Sequence, residues 1–411
     1  METRTSGRSW AWLLVTWAVT RAVLLLLVFR VYVVPGPDVT SDVSVIYRQW
    51  YDVLRQGTFP LDDETWQYPP VAALAILSPA VLPFLSYPHA FYVLAFLADA
   101  AVLALLVYTG RRPGRSARGA WVWTAGVPLL GPTVYARYDV MVTAVAVAAL
   151  LAGVGRPRVL GALAAAGALL KVWPALLLAG AFRRRPWASA VVVAAGLTAL
   201  SAVSMPGAFA FLSFQQERGT EVESLGALVF HVARHFGWQG QTLLNYGSIE
   251  FLGPYVGVVS TAALALTGGA FGWLLLWRLR ATRTTPHTLA DAAFTAVLLF
   301  TVTSRVISPQ YLVWLIGLAA VCLCFRASRM APPAVMVVVA SLVTVLEFPL
   351  GFIHVVTSDW YGIALLAVRN GLLVAASLSA ARRLWASTVA PLTPPTIPPQ
   401  ATRAKNTPVS S

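Results

Sequence analysis

The chain has 411 residues, 58% of them hydrophobic and only 11% charged, with a mean hydropathy of +0.71. This composition excludes a soluble globular domain and points to a multi-pass protein of the plasma membrane. The formal net charge of +14 raises nucleic acid as a partner, but the arginines fall in short clusters between apolar runs, the signature of cytoplasmic loops, so nucleic acid is excluded.

The first apolar run, "WAWLLVTWAVTRAVLLLLVF", predicts a span near 10–34. It lacks a small-residue cleavage site and reads as a retained span, not a signal peptide. Arg21 sits near its middle and Asp99 near the middle of the next span, 88–109. An unpaired charge at such depth costs on the order of 3 kcal/mol, so the two are expected to form a structural ion pair. Between these spans lies an acidic, aromatic stretch, "SDVSVIYRQWYDVLRQGTFPLDDETWQYPP" (41–70). The run that follows, 69–86, is broken by Pro69, Pro70, Pro79 and Pro83, and is expected to lie at the outer surface or re-enter rather than cross.

Arg4/Arg8, "RRPGRSAR" (111–118), "GRPR" (155–158), "RRR" (183–185), "RLRATR" (278–283), "FRASR" (325–329) and Arg382/Arg383 mark the cytoplasmic side. Further spans then fall near 119–135, 139–154, 187–204, 251–277, 287–303, 310–325, 331–346 and 360–380, and most acids lie in the opposite, external connections. The stretch 159–182 has cytoplasmic clusters on both sides and is too short for two full crossings. It predicts a re-entrant pair of half-length helices with "LKVWP" (170–174) at the apex. The expected fold is an all-α polytopic bundle of about 11–12 membrane helices, with an extracytoplasmic first loop carrying juxtamembrane helices. Residues 1–385 form one transmembrane domain, and 386–411 a disordered Pro/Ser/Thr-rich cytoplasmic tail. Cys322 and Cys324, two residues apart on a helix, read as small apolar packers.

The external segments carry Arg137, Lys171, Arg218 and Arg305. Four cations on a face that otherwise excludes them imply a bound anion, and phosphate is the anion arginine recognises best. A carboxylate in an aromatic pocket can act as general base toward a sugar hydroxyl. Asp42, just after the first span, is the chosen base, with Asp38 second, whereas Asp62, Asp63 and Glu64 read as a solvated turn. Tyr47, Tyr68, Asp139, Glu223 and Gln310 complete the candidate substrate-binding set, and His354 is a candidate to assist proton transfer or orient an acceptor. His231 and His235 share one helix face, but lack a third ligand at matching spacing and read as surface histidines. Arg369 and Asp291 lie at different depths and are not expected to pair. Neither a metal nor a cofactor is expected, because arginines can stabilise the leaving charge. The competing class is a transporter or flippase of a lipid-linked sugar, disfavoured by the absence of an evident internal repeat; a scaffold protein would not need the geometry around Asp42.

The segments "SDVSVIY", "LRQGTFP" and "QYPP" resemble the first external loop of glycosyltransferase family 87. "LLKVWP", "ERGTEVES" and "ISPQYLVW" extend the resemblance in order, from about residue 10 to 380. It implies a GT-C-type bundle and inverting transfer of a sugar, typically mannose, from a polyprenyl-phosphate donor to a glycolipid or glycan acceptor outside the membrane. By position it assigns the catalytic base to Asp42. Arg305 stands where a lysine would be equally expected, and the 386–411 tail matches no feature of the family.

Overall fold

The computed structural model describes residues 7–61, 63–213 and 219–389. Asp62, Arg218 and residues 390–411 of the expected tail lie outside the described residues. The first run forms α1 (Gly7–Val28). It ends short of residue 34, where Arg30 takes a positive φ of 60° and Pro35 has no N–H to continue a helix. The first loop holds a π-helical turn over Asp42–Tyr47, α2 (Arg48–Leu54) and α3 (Ala72–Leu77), and a 3-10 turn over Ser78–Val81 then leads to α4 (Tyr87–Gly110).

α5 (Arg118–Gly126) does not continue as the single span expected over 119–135. Pro128 and Pro132 lack amide donors, and the chain runs on as a 3-10 stretch, Val127–Val134, kinked at Gly131. After α6 (Asp139–Gly153) comes α7 (Pro157–Leu170), which stops at Lys171, and a 3-10 helix over Trp173–Gly180 follows. Pro174 cannot donate to the carbonyl of Leu170, four residues earlier, and the hydroxyl of Tyr138 donates to that oxygen instead, at 3.3 Å.

α8 (Arg184–Ser204) is followed by a small sheet that the all-helical expectation did not include. Its strands are β1 (Thr220–Glu221), β2 (Gln241–Asn245) and β3 (Ser248–Leu252), antiparallel in the order β1-β3-β2, with α9 (Ala227–Arg234) between β1 and β2. Tyr246 and Gly247 join β2 to β3, both at positive φ, the geometry of a two-residue hairpin turn. The remaining helices are α10 (Val256–Arg280), α11 (Thr288–Thr303), α12 (Tyr311–Leu323), α13 (Ala331–Val345), the short α14 (Phe352–Thr357) and α15 (Trp360–Thr388).

Six described helices are long and apolar enough to cross a bilayer: α1, α4, α8, α10, α15 and α13 with its continuation to Leu350. α12 is the centre of the bundle, buried at every residue after Tyr311 and packed between α5, α6, α11 and α13. Gly317 permits this: a Cβ there would meet Thr143 of α6 at 2.4 Å, so only glycine lets the two helices approach so closely.

Arg21 and Asp99 form the expected pair, with Nε 2.8 Å from Oδ2. The indoles of Trp17 and Trp123 and the hydroxyl of Tyr135 also donate to Asp99, and Arg21 donates to the carbonyls of Trp123 and Thr124. A buried ion pair this well satisfied avoids most of its desolvation penalty, and it ties α1, α4 and α5 together. Both cysteines are buried and free. The arginine-bearing turns gather at one end of the bundle: residue 115 bridges 325, residue 281 bridges 389, and Arg383 reaches the carbonyl of Arg329. The acid-rich connections gather at the other.

Candidate active site

At the acid-rich end lies a cavity of about 440 Å³. The first loop supplies Asp42, Tyr47, Trp50, Gln67 and Tyr68; the break after α7 supplies Lys171 and Trp173; the entrance to α12 supplies Arg305, Ser308, Gln310, Tyr311 and Trp314. The hairpin turn contributes Tyr246 and Gly247, and Leu264 and Thr267 of α10 with Phe300 of α11 form an apolar margin.

Asp42 opens the π-helical turn with its carboxylate 29% exposed, and its Oδ2 lies 2.7 Å from Nη2 of Arg137. Arg137 sits behind it, 12% exposed, and is anchored by donating Nη1 to the carbonyls of Val39 and Ala136. Two loops remote in sequence therefore fix the direction of one carboxylate. The Tyr47 ring stacks on Trp50 and packs on Tyr138, and its hydroxyl has no hydrogen-bond partner among the described residues. Burial, followed by the neighbouring Tyr68, pushes its phenol well above the ordinary tyrosine range, so it is a neutral donor.

The ammonium of Lys171 lies 2.7 Å from Oδ1 of Asp139, and Trp314 donates its indole N–H to the same oxygen at 2.6 Å. Four ring centroids, of Tyr68, Tyr138, Tyr311 and Trp314, surround the ammonium at 5.1 to 5.6 Å. Aromatic faces stabilise a cation without neutralising it, and together with Asp139 they hold the ammonium in the cavity wall. Arg305 donates to Ser260 of α10, and its carbonyl accepts from the amide of Glu221. Glu221 also accepts from Ser308, tying β1 to the cavity wall.

The structure thus brings Asp42, Tyr47, Tyr68, Lys171, Arg305 and Gln310 to one cavity, with Arg137 and Asp139 directly behind Asp42 and Lys171. Asp38 lies apart, bonded to Arg30 and Thr40 on the surface. Glu223 is buried beside Glu347 and Arg369, and donors from Arg369 and Asn370 reach its carbonyl. Burial, then Glu347 and Glu221, raise its carboxyl well above the usual range. His354 pairs with Asp359 on an exposed surface. His231 is not a surface residue: fully buried, it bonds Ser358 and the carbonyl of Val222. Asp63 accepts from the Trp50 indole rather than standing free in a solvated turn.

Among the described residues, no group of three or more His, Cys, Asp or Glu could hold a metal ion. The hairpin was the main wall element not foreseen. Its signal was present in "QTLLNYGSIEFL", a glycine turn between apolar runs.

The profile of glycosyltransferase family 87 matches residues 66–309. Two solved structures are similar in backbone, the crystal structures of ArnT from Cupriavidus metallidurans bound to undecaprenyl phosphate and in the apo state. Each has a TM-score of 0.47 and 16% identity, and the alignments cover 92% and 93% of this chain and 78% of that one. No curated protein matches by sequence.

Proposed function

Because the chain belongs to glycosyltransferase family 87, we propose that it transfers a sugar, mannose first among the candidates, from a polyprenyl-phosphate donor to a glycolipid or glycan acceptor on the extracytoplasmic face. The observation that carries this reading is the convergence of Asp42, Lys171 and Arg305 on one aromatic-lined cavity.

The donor phosphate sits between Lys171 and Arg305, and its isoprenoid leaves over the apolar margin of Leu264 and Phe300 toward lipid. Tyr68 offers a face for the sugar ring. The Asp42 carboxylate, aimed by Arg137, takes the proton of the acceptor hydroxyl as its oxygen bonds to the anomeric carbon. The bond from that carbon to the phosphate oxygen breaks with inversion, and the electron pair leaves on polyprenyl phosphate. Lys171 and Arg305 stabilise the charge gathering there, the kind of preorganised contact that usually contributes most to such catalysis. No metal or cofactor is needed in this scheme. The acid-rich end faces outward because the arginine-bearing turns occupy the other.

The test is a membrane assay in which several radiolabelled polyprenyl-phosphate sugars are offered and lipid products are resolved. Transfer from one donor by the wild type, and none by Asp42→Asn at equal abundance, is expected. Undiminished transfer by Asp42→Asn would remove the base from the scheme.

A further inference from the structure

At the opposite end of the bundle is a second, more open cavity of about 560 Å³. Arg329, in the turn before α13, and Ser379, Arg382 and Arg383 of α15 line it. The lining contains no carboxylate, and none of the three arginines forms an ion pair among the described residues. Arg383 is held instead by neutral groups: its Nε donates to Ser379 and its Nη1 to the carbonyl of Arg329. Three like charges share this recess with no counter-ion among the described residues, which is the arrangement that attracts an anion.

The adjoining surface says which kind of anion. On the exposed face of α15, Leu378, Ala375 and Gly371 follow one another away from Arg382. They form a smooth apolar strip that begins at the arginines and runs along a helix long enough to cross a bilayer. A free phosphate would use only the arginines, whereas an acyl chain would use only the strip. A lipid with an anionic phosphate headgroup uses both. The residues 390–411 contain no aspartate or glutamate, so their side chains offer no anion to this recess.

We propose that this recess binds the phosphate headgroup of an anionic phospholipid, with one acyl chain laid along Leu378 and Ala375. The site is separate from the sugar-transfer cavity and uses none of its residues. Bound there, the lipid bridges the turn before α13 to the end of α15 and stabilises that end of the bundle.

The test is native mass spectrometry of the full chain in neutral detergent, titrated with phosphatidylglycerol, with phosphatidylcholine and, separately, with inorganic phosphate. The wild type is expected to retain phosphatidylglycerol in preference to phosphatidylcholine, with each arginine removed weakening binding about five-fold. Arg382→Gln/Arg383→Gln therefore loses most of the preference. Arg183→Gln/Arg184→Gln, which removes equal charge from another turn at the same end, is expected to retain it. Leu378→Asp, an exposed change, should lower lipid binding and leave phosphate binding unchanged. Equal retention of both lipids, an equal loss in the Arg183/Arg184 control, or phosphate binding that excludes phosphatidylglycerol without being displaced by it would overturn the proposal.

Discussion

Lys171 and Asp139 meet at 2.7 Å across the gap between the broken end of α7 and the first residue of α6. Asp139 is 1% exposed and accepts from Trp314 on the same oxygen, a placement suited to holding the lysine. Replacing it by asparagine keeps the shape and removes the charge that anchors the ammonium. Asp139→Asn is expected to raise the donor KM more than it lowers kcat and, by breaking a buried pair, to destabilise the fold by about 3 kcal/mol. Donor-dependent kinetics and a thermal melt of the purified variant check both effects. An unchanged donor KM would separate Asp139 from the site.

Arg137 stands to Asp42 as Asp139 stands to Lys171. Arg137→Gln leaves the carboxylate in the cavity without its guide. It is expected to lower kcat by about ten-fold to a hundred-fold, less than the loss of about a hundred-fold to ten-thousand-fold for Asp42→Asn. Single-turnover transfer rates for the two variants at matched abundance give the order. If Arg137→Gln proves the more damaging, Asp42 is not the base that Arg137 positions.

Within the bundle, Arg21→Met leaves Asp99 buried and charged with only the neutral donors Trp17, Trp123 and Tyr135. The expected loss is about 3–5 kcal/mol, visible as a fall in membrane abundance. The double variant Arg21→Met/Asp99→Leu should recover much of it, since no unpaired charge remains. A double variant no more abundant than the single one would show that the hydrogen bonds, and not the charge, decide.

His231 supplies a pH dependence. Burial, the leading cause, pushes its imidazole down to about 4, below the ordinary value, so the folded protein binds its proton less readily than the unfolded chain. The stability contributed by the neutral ring is complete above about pH 6.5 and is lost as pH falls toward 4, by roughly 3 kcal/mol in all. Melting temperatures of the wild type and His231→Asn between pH 4 and 7.5 should converge as pH falls. Parallel curves would count against a neutral buried ring.

Much of the helix map was legible because bilayer physics writes it into the sequence: apolar length marks α4, α8 and α10, and arginine clusters mark the turns that gather at one end. A break near Lys171 was expected from the arginine clusters flanking 159–182, whereas the break of α5 was not, although Pro128 and Pro132 carry its signal. Asp42, Lys171 and Arg305 stood out as site candidates because they are charges outside the arginine clusters. Residue type and spacing, however, carry no vector. Residue type does not separate Asp42, which faces the cavity, from Asp38, four residues earlier, which turns to Arg30; only position in the loop favoured Asp42. Nor does anything separate Lys171, in the wall, from Glu223, which is buried against Arg369 and Glu347. Those outcomes belong to long-range pairing: a side chain's direction is set by partners such as Arg137 or Trp314, about a hundred residues or more away in sequence and adjacent only once the helices have packed.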